Sequence, residues 1–101
     1  MISIIIPTYN AEKFMPNLLD SIFKNGIEDM EVIIVDDRSK DDTVKIANSY
    51  SVRVIELEKN EGPAKARNIG VRAAKGDIIF FLDSDVIVLD GTIKEVKDYF
   101  R

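Results

Sequence analysis

The 101-residue chain has no cysteine and no histidine. Without cysteine there are no disulfides and no thiolate nucleophile. Without histidine there is no imidazole general base, and the two absences together exclude the common zinc sites. A metal held by this sequence would be a hard cation on oxygen ligands, such as magnesium or manganese. No apolar run approaches the roughly 20 residues of a membrane-spanning helix. The opening Met-Ile-Ser-Ile-Ile-Ile-Pro lacks a basic leader and a small-residue cleavage site, so it reads as a first strand, and a cytoplasmic location is expected. Lysine and arginine form no cluster suited to a phosphate backbone and the net charge is −4, so nucleic acid is not an expected partner. Repeats, low-complexity tracts and linkers are also missing.

What is present is an ordinary globular composition, 46% hydrophobic and 32% charged, at a length that allows one small domain. Such a domain buries a core but has little stability to spare. Four apolar runs rich in Ile and Val read as strands: Ile2 to Ile6, Glu31 to Val35, Val52 to Leu57 and Asp77 to Leu82. The first, second and fourth are nearly continuous in apolar character, as expected of strands covered on both faces. Phe14, Leu18, Leu19, Ile22 and Phe23 form a helical stripe, with Pro16 tolerable in its first turn and Asn25-Gly26 as its stop. Thr43, Ala47 and Tyr50 mark a shorter helix after the capping-type run Ser39 to Asp42. Pro63 opens a third helix, whose Ala66, Ile69, Gly70 and Ala73 share a face and which Gly76 ends. A last helix starts near Thr92, with Ile93, Val96 and Phe100 at helical spacing. The alternation predicts a three-layer α/β/α fold around a mostly parallel sheet with right-handed crossovers.

Ligands of such sheets bind beyond the carboxyl ends of the strands. Those ends carry Pro7-Thr8-Tyr9-Asn10, Asp36-Asp37-Arg38-Ser39, Asn60-Glu61-Gly62-Pro63 and Asp83-Ser84-Asp85. All should converge on one rim. In a turn, Asp83 and Asp85 can face one cation. Two such charges about 4 Å apart repel by about 4 kcal/mol at an effective dielectric of about 20, and a divalent ion would reverse that sign. The alternative is a solvated acidic turn capping the last helix. Asp37 suits either hydrogen bonds from a base edge or ribose, or a plain strand-terminal turn. Ser39, Asp41 and Asp42 suit the loop and N-cap of the second helix. Tyr9 offers a ring for stacking on a base, or a half-buried aromatic packed on the first helix. Lys65 and Arg67, on the first turns of the third helix, could meet phosphates near its N-terminus or form a solvated face. Gly62 reads first as a turn residue.

Taken in order, Pro7-Thr8-Tyr9-Asn10, Val35 through Thr43, Asn60 through Gly70, and Phe81-Leu82-Asp83-Ser84-Asp85 resemble the inverting family-2 glycosyltransferases of GT-A fold. The resemblance covers essentially the whole chain, residues 1–101, as a single nucleotide-sugar-binding portion of a GT-A (nucleotide-diphospho-sugar transferase, Rossmann-like) domain. It implies a nucleotide-sugar donor, with a UDP-sugar favoured, and Mn2+ or Mg2+. Pro7, Thr8 and Tyr9 would lie beside the base and Asp37 would hold it. Lys65 and Arg67 would approach the base or diphosphate. Asp83 would contact the ribose, with Asp83 and Asp85 forming the metal-binding pair.

Members of that family continue well past the Asp-x-Asp turn, into an acceptor site and a carboxylate that deprotonates the acceptor hydroxyl. This sequence stops one helix past the turn, so a truncated fold lacking the acceptor-binding half is expected, with no catalytic base assigned. General-base catalysis contributes about 10²–10⁴-fold, so binding without efficient transfer is the expectation. The fourth strand would be a sheet edge beside Val86-Ile87-Val88-Leu89, a liability that predicts homo-oligomers. Two further readings stand beside this one: a non-catalytic nucleotide-binding module, and a flavodoxin-like phospho-acceptor signalling domain. The second leaves Pro7-Thr8-Tyr9-Asn10 unexplained. A nucleotidyltransferase would need a Gly-rich first loop that is absent.

Overall fold

The computed structural model describes residues 1–100. Its elements alternate as β1 (Ile2–Thr8), α1 (Met15–Lys24), β2 (Met30–Asp36), α2 (Thr43–Ala47), β3 (Arg53–Glu56), α3 (Pro63–Ala73), β4 (Ile78–Phe81) and α4 (Thr92–Tyr99). The strands form one sheet in the order β3-β2-β1-β4, and every pairing in it is parallel. The two long strands, β1 and β2, are central and pair along their whole length, from Ile2 with Met30 to Thr8 with Asp36. This is the expected layered α/β architecture.

Alternation along the strands sorts the core into two layers. Ile2, Ile4, Ile6, Val32 and Ile34 face α1, α2 and α4, where they meet Met15, Leu18, Leu19, Ile22, Ala47 and Ile93. Ile5, Ile33 and Val35 face the other way and meet Ala66 of α3. Gly70 brings α3 close to the sheet, since a Cβ there would lie 2.5 Å from Ile5 Cγ2.

Four sequence readings change in detail. Phe14 does not belong to the buried stripe of α1; it caps the helix and is 48% exposed, and Met15 takes its place in the core. Gly76 does not end α3, which stops at Ala73. Its Cβ would strike Met1 O and Ser3 Oγ, each at 2.5 Å, so it is a close-approach residue beneath β1. In β4, Ile78 and Phe80 pack into the α1 layer, but Ile79 and Phe81 remain 36% and 44% exposed. The reason is that α3 lies over β1 and β2, leaving the face of β4 beyond them bare among the described residues. In Val86 to Leu89, Val86 and Val88 pack inward and only Ile87 and Leu89 are exposed. The Val88 N–H is tied to Ser21 Oγ at 2.9 Å, so this segment is engaged with α1, while β4 is one edge of the sheet, as expected, and β3 the other.

Candidate functional site at the carboxyl ends of the strands

The two aspartates that end β2 point to opposite faces of the sheet, as neighbours on a strand must. Asp36 turns toward the α1 layer and is 1% exposed. It accepts the Thr8 hydroxyl at 2.8 Å, the Ser39 hydroxyl at 2.6 Å and the Ser39 N–H at 2.8 Å. A buried carboxylate is tolerable only when its oxygens are occupied in this way. Among the described residues no buried side-chain polar atom lacks a partner. Asp36 is therefore the fastener between the ends of β1 and β2.

Asp37 turns toward α3. Its two oxygens accept the Glu61 N–H at 2.7 Å and the Gly62 N–H at 3.1 Å, which anchors the loop entering α3. An ionised carboxylate offers about four acceptor positions, so two backbone donors leave capacity for a ligand N–H or O–H. Gly62 sits at φ 89°, and a Cβ there would meet no atom within 4 Å, so it serves the turn and not a close approach.

The β2–α2 loop is stitched to the segment after β1. Three consecutive backbone N–H groups, those of Asn10, Ala11 and Glu12, donate to Ser39 Oγ (2.8 Å), Thr43 Oγ1 (2.8 Å) and Asp41 Oδ2 (3.3 Å). In return Lys40 N–H donates to Asn10 Oδ1 at 2.8 Å and Asp42 N–H to Glu12 Oε2 at 3.2 Å. Asp41, not Asp42, serves the start of α2, accepting the Thr43 N–H and hydroxyl. Burial alone pushes the Asp41 carboxyl up, but the hydrogen bonds from Thr43 and Glu12 outweigh it and hold the group below its ordinary value.

Above these fasteners lies an open cleft of about 410 Å³ lined by Pro7, Thr8, Tyr9, Asn10, Ala11, Phe14, Asp37, Pro63, Ala66, Arg67, Asp83, Ser84 and Asp85. Seven of the eight residues singled out from the sequence therefore meet here: Pro7, Thr8, Tyr9, Asp37, Arg67, Asp83 and Asp85. The eighth, Lys65, does not line the cleft; its Nζ lies 3.8 Å from Glu61, in the loop that enters α3. Arg67 reaches across to Asp83, with Nη2 and Oδ1 3.8 Å apart. Phe14, like Ala11, is a cleft residue that sequence reasoning missed. Pro16 in the first turn of α1 was the available signal, because it places Phe14 at or before the helix end, outside the packed stripe.

Asp83 and Asp85 are exposed at the mouth of the cleft. Among the described residues, no group of three or more Asp or Glu side chains is gathered to hold a metal unaided. The donor set suits a hard cation of the magnesium kind, which takes one or two carboxylates and fills its other positions with water and substrate phosphate.

Comparison with known proteins bears on the family and the fold. The family model Glycosyl transferase family 2 matches residues 3–101. An uncharacterized glycosyltransferase of Haemophilus influenzae is 48% identical over 87 residues, covering 84% of this chain and 29% of that protein. The poly(ribitol-phosphate) beta-N-acetylglucosaminyltransferase TarS of Staphylococcus aureus is 39% identical over 104 residues, covering 96% of this chain and 18% of TarS. The crystal structure of TarS 1-349 in complex with UDP-GlcNAc superposes with a TM-score of 0.93 at 37% identity, covering 98% of this chain and 30% of that one. The mannosyltransferase PcManGT from Pyrobaculum calidifontis, in complex with GDP-Man and Mn2+, gives 0.77 at 29% identity, covering 85% and 28%. The chain thus spans less than a third of the length of each of these proteins. The fold is that of the GT-A transferases, and no described helix is long and apolar enough to cross a membrane. With a family model matching nearly every residue and relatives this similar, the chain belongs to glycosyl transferase family 2.

Proposed function

We propose that this domain binds a nucleotide-sugar donor, with a UDP-sugar favoured, together with Mn2+ or Mg2+ at Asp83-Ser84-Asp85, for glycosyl transfer to an acceptor hydroxyl. The observation that carries this reading is the convergence of Tyr9, Asp37, Arg67, Asp83 and Asp85 on one cleft. Tyr9, 45% exposed, offers a ring face to the base, a contact of about 1–3 kcal/mol. The spare acceptor positions of Asp37 receive an N–H from the base edge. Asp83 accepts from the ribose, and Arg67 beside it meets the diphosphate. Asp85, with Asp83, holds the cation, whose chemistry when bound is Lewis-acid stabilisation of the departing nucleoside diphosphate. UDP is favoured because TarS, whose structure holds UDP-GlcNAc, matches more of this chain at higher identity than the GDP-Man-bound mannosyltransferase. In this reading Asp37, Asp83 and Asp85 all serve the donor, and none is left to take a proton from the acceptor. These residues alone are therefore expected to bind a donor without transferring sugar efficiently. Membership of the family disfavours the phospho-acceptor alternative.

A thermal-shift panel of UDP, GDP, CDP and dTDP, each with and without manganese, tests the reading, since a ligand of the native state raises its melting temperature by mass action. Stabilisation by UDP that requires manganese and disappears in Asp85→Ala is the expected result. If no nucleotide stabilises the wild type, donor binding is wrong.

A further inference from the structure

Tyr9 leaves β1 at a turn held in an uncommon backbone conformation. Asn10 has φ 49° and Arg38 has φ 64°, and they are the two non-glycine residues with positive φ among those described. They lie in the loops that follow β1 and β2. Asparagine tolerates the left-handed region better than most residues, but single residues persist there when the surroundings over-determine them. At Asn10 they do. Its N–H donates to Ser39 Oγ at 2.8 Å, and its side-chain Oδ1 accepts the Lys40 N–H at 2.8 Å. Ser39 is in turn locked to Asp36, which is buried and also holds Thr8. The last residue of β1 is thus fastened to the last residue of β2, and the residue after Tyr9 to the loop that follows it. Tyr9 has no such fastening of its own, and its ring is left at the rim of the cleft.

We propose that Asn10 is a positioning residue for Tyr9. By holding the left-handed turn through its two bonds to the β2–α2 loop, it keeps the Tyr9 ring presented to the base. The inference rests on the reading that Tyr9 stacks on the base of a donor. Alanine at position 10 loses the acceptor for Lys40 N–H and tolerates positive φ poorly, so the turn relaxes and the ring is no longer held in place.

A double-mutant cycle on UDP affinity, measured by titration calorimetry in the presence of manganese, tests it. Asn10→Ala should weaken UDP about tenfold, near the low end of what loss of a base–aromatic stack costs. In the Tyr9→Ala background the same substitution should change affinity by less than about twofold, the usual error of additivity. A cooperative melt without nucleotide checks that each variant folds. If Asn10→Ala does not fold, Asn10→Gly, which accepts positive φ but lacks the hook to Lys40, enters the same cycle with the same expectation. Losses that add, as they would if Asn10 touched the donor directly, overturn the proposal, and so does an unchanged affinity in Asn10→Ala. A wild type that binds no UDP fails the donor reading itself, which is a different result.

Discussion

Lys65 and Arg67 stand two residues apart on α3, which turns the second about 200° from the first around the helix axis. That rotation sends Arg67 into the cleft beside Asp83 and leaves Lys65 over Glu61 on an exposed flank. The Lys65–Glu61 pair is a surface pair of the kind that contributes little. Arg67→Ala should therefore weaken manganese-dependent UDP binding about tenfold, the order expected for losing a charge-assisted hydrogen bond to a phosphate. Lys65→Ala should leave affinity within about twofold, inside the error of independent sites. Calorimetric titration of both variants checks the contrast; equal losses would mean that Lys65 also reaches the donor. At this scale the residue types were legible in the sequence, and their direction was not. A basic residue near a helix N-terminus reads the same whether it faces ligand or solvent. The strand that lies beside the helix decides which.

At the scale of elements, the placement of α3 depends on two glycines with different neighbours. A Cβ on Gly70 would meet the Ile5 side chain, which can shift. A Cβ on Gly76 would meet the carbonyl oxygen of Met1 and the N–H of Ser3, both backbone atoms of the β1 end, as well as Ser3 Oγ. Backbone in a central strand cannot move aside without disturbing the sheet. Gly70→Ala should cost about 1–3 kcal/mol, the usual range for overpacking a core, and Gly76→Ala should cost more. Urea unfolding followed by circular dichroism measures both, and the reverse order would contradict this account of Gly76. The helical stripe of α3 was readable as Ala66, Ile69, Gly70 and Ala73, because periodicity marks a buried face. The role of Gly76 was not, since a glycine after a helix looks like a stop signal whether or not another backbone passes over it.

Over the whole molecule, the sheet is covered unevenly. Its central strands have helices on both faces, whereas among the described residues β4 has an unpaired edge and carries exposed Ile79 and Phe81 on the face that α3 does not reach. Unpaired strand edges with apolar neighbours recruit other strands. The domain is expected to self-associate through β4 as concentration rises, and Phe81→Lys should shift it toward monomer. Sedimentation velocity over a concentration series measures this; a wild type that stays monomeric at the highest concentration refutes it.

The sequence by itself determined the order of strands and helices, the two-sided burial of β1 and β2, and the polar ends of β1, β2 and β4 that meet at the cleft. Those properties follow from periodicity, turn chemistry and the rule that parallel sheets present their carboxyl ends to ligands. Only the tertiary structure decided that Asp36 is a buried fastener, that Phe14 belongs to the cleft and not to the core, and that one face of β4 is bare. Local pattern states which side of an element is apolar or polar. What lies against that side is set by the order of strands in the sheet and by which of them each helix crosses, and those are contacts between residues far apart in the chain.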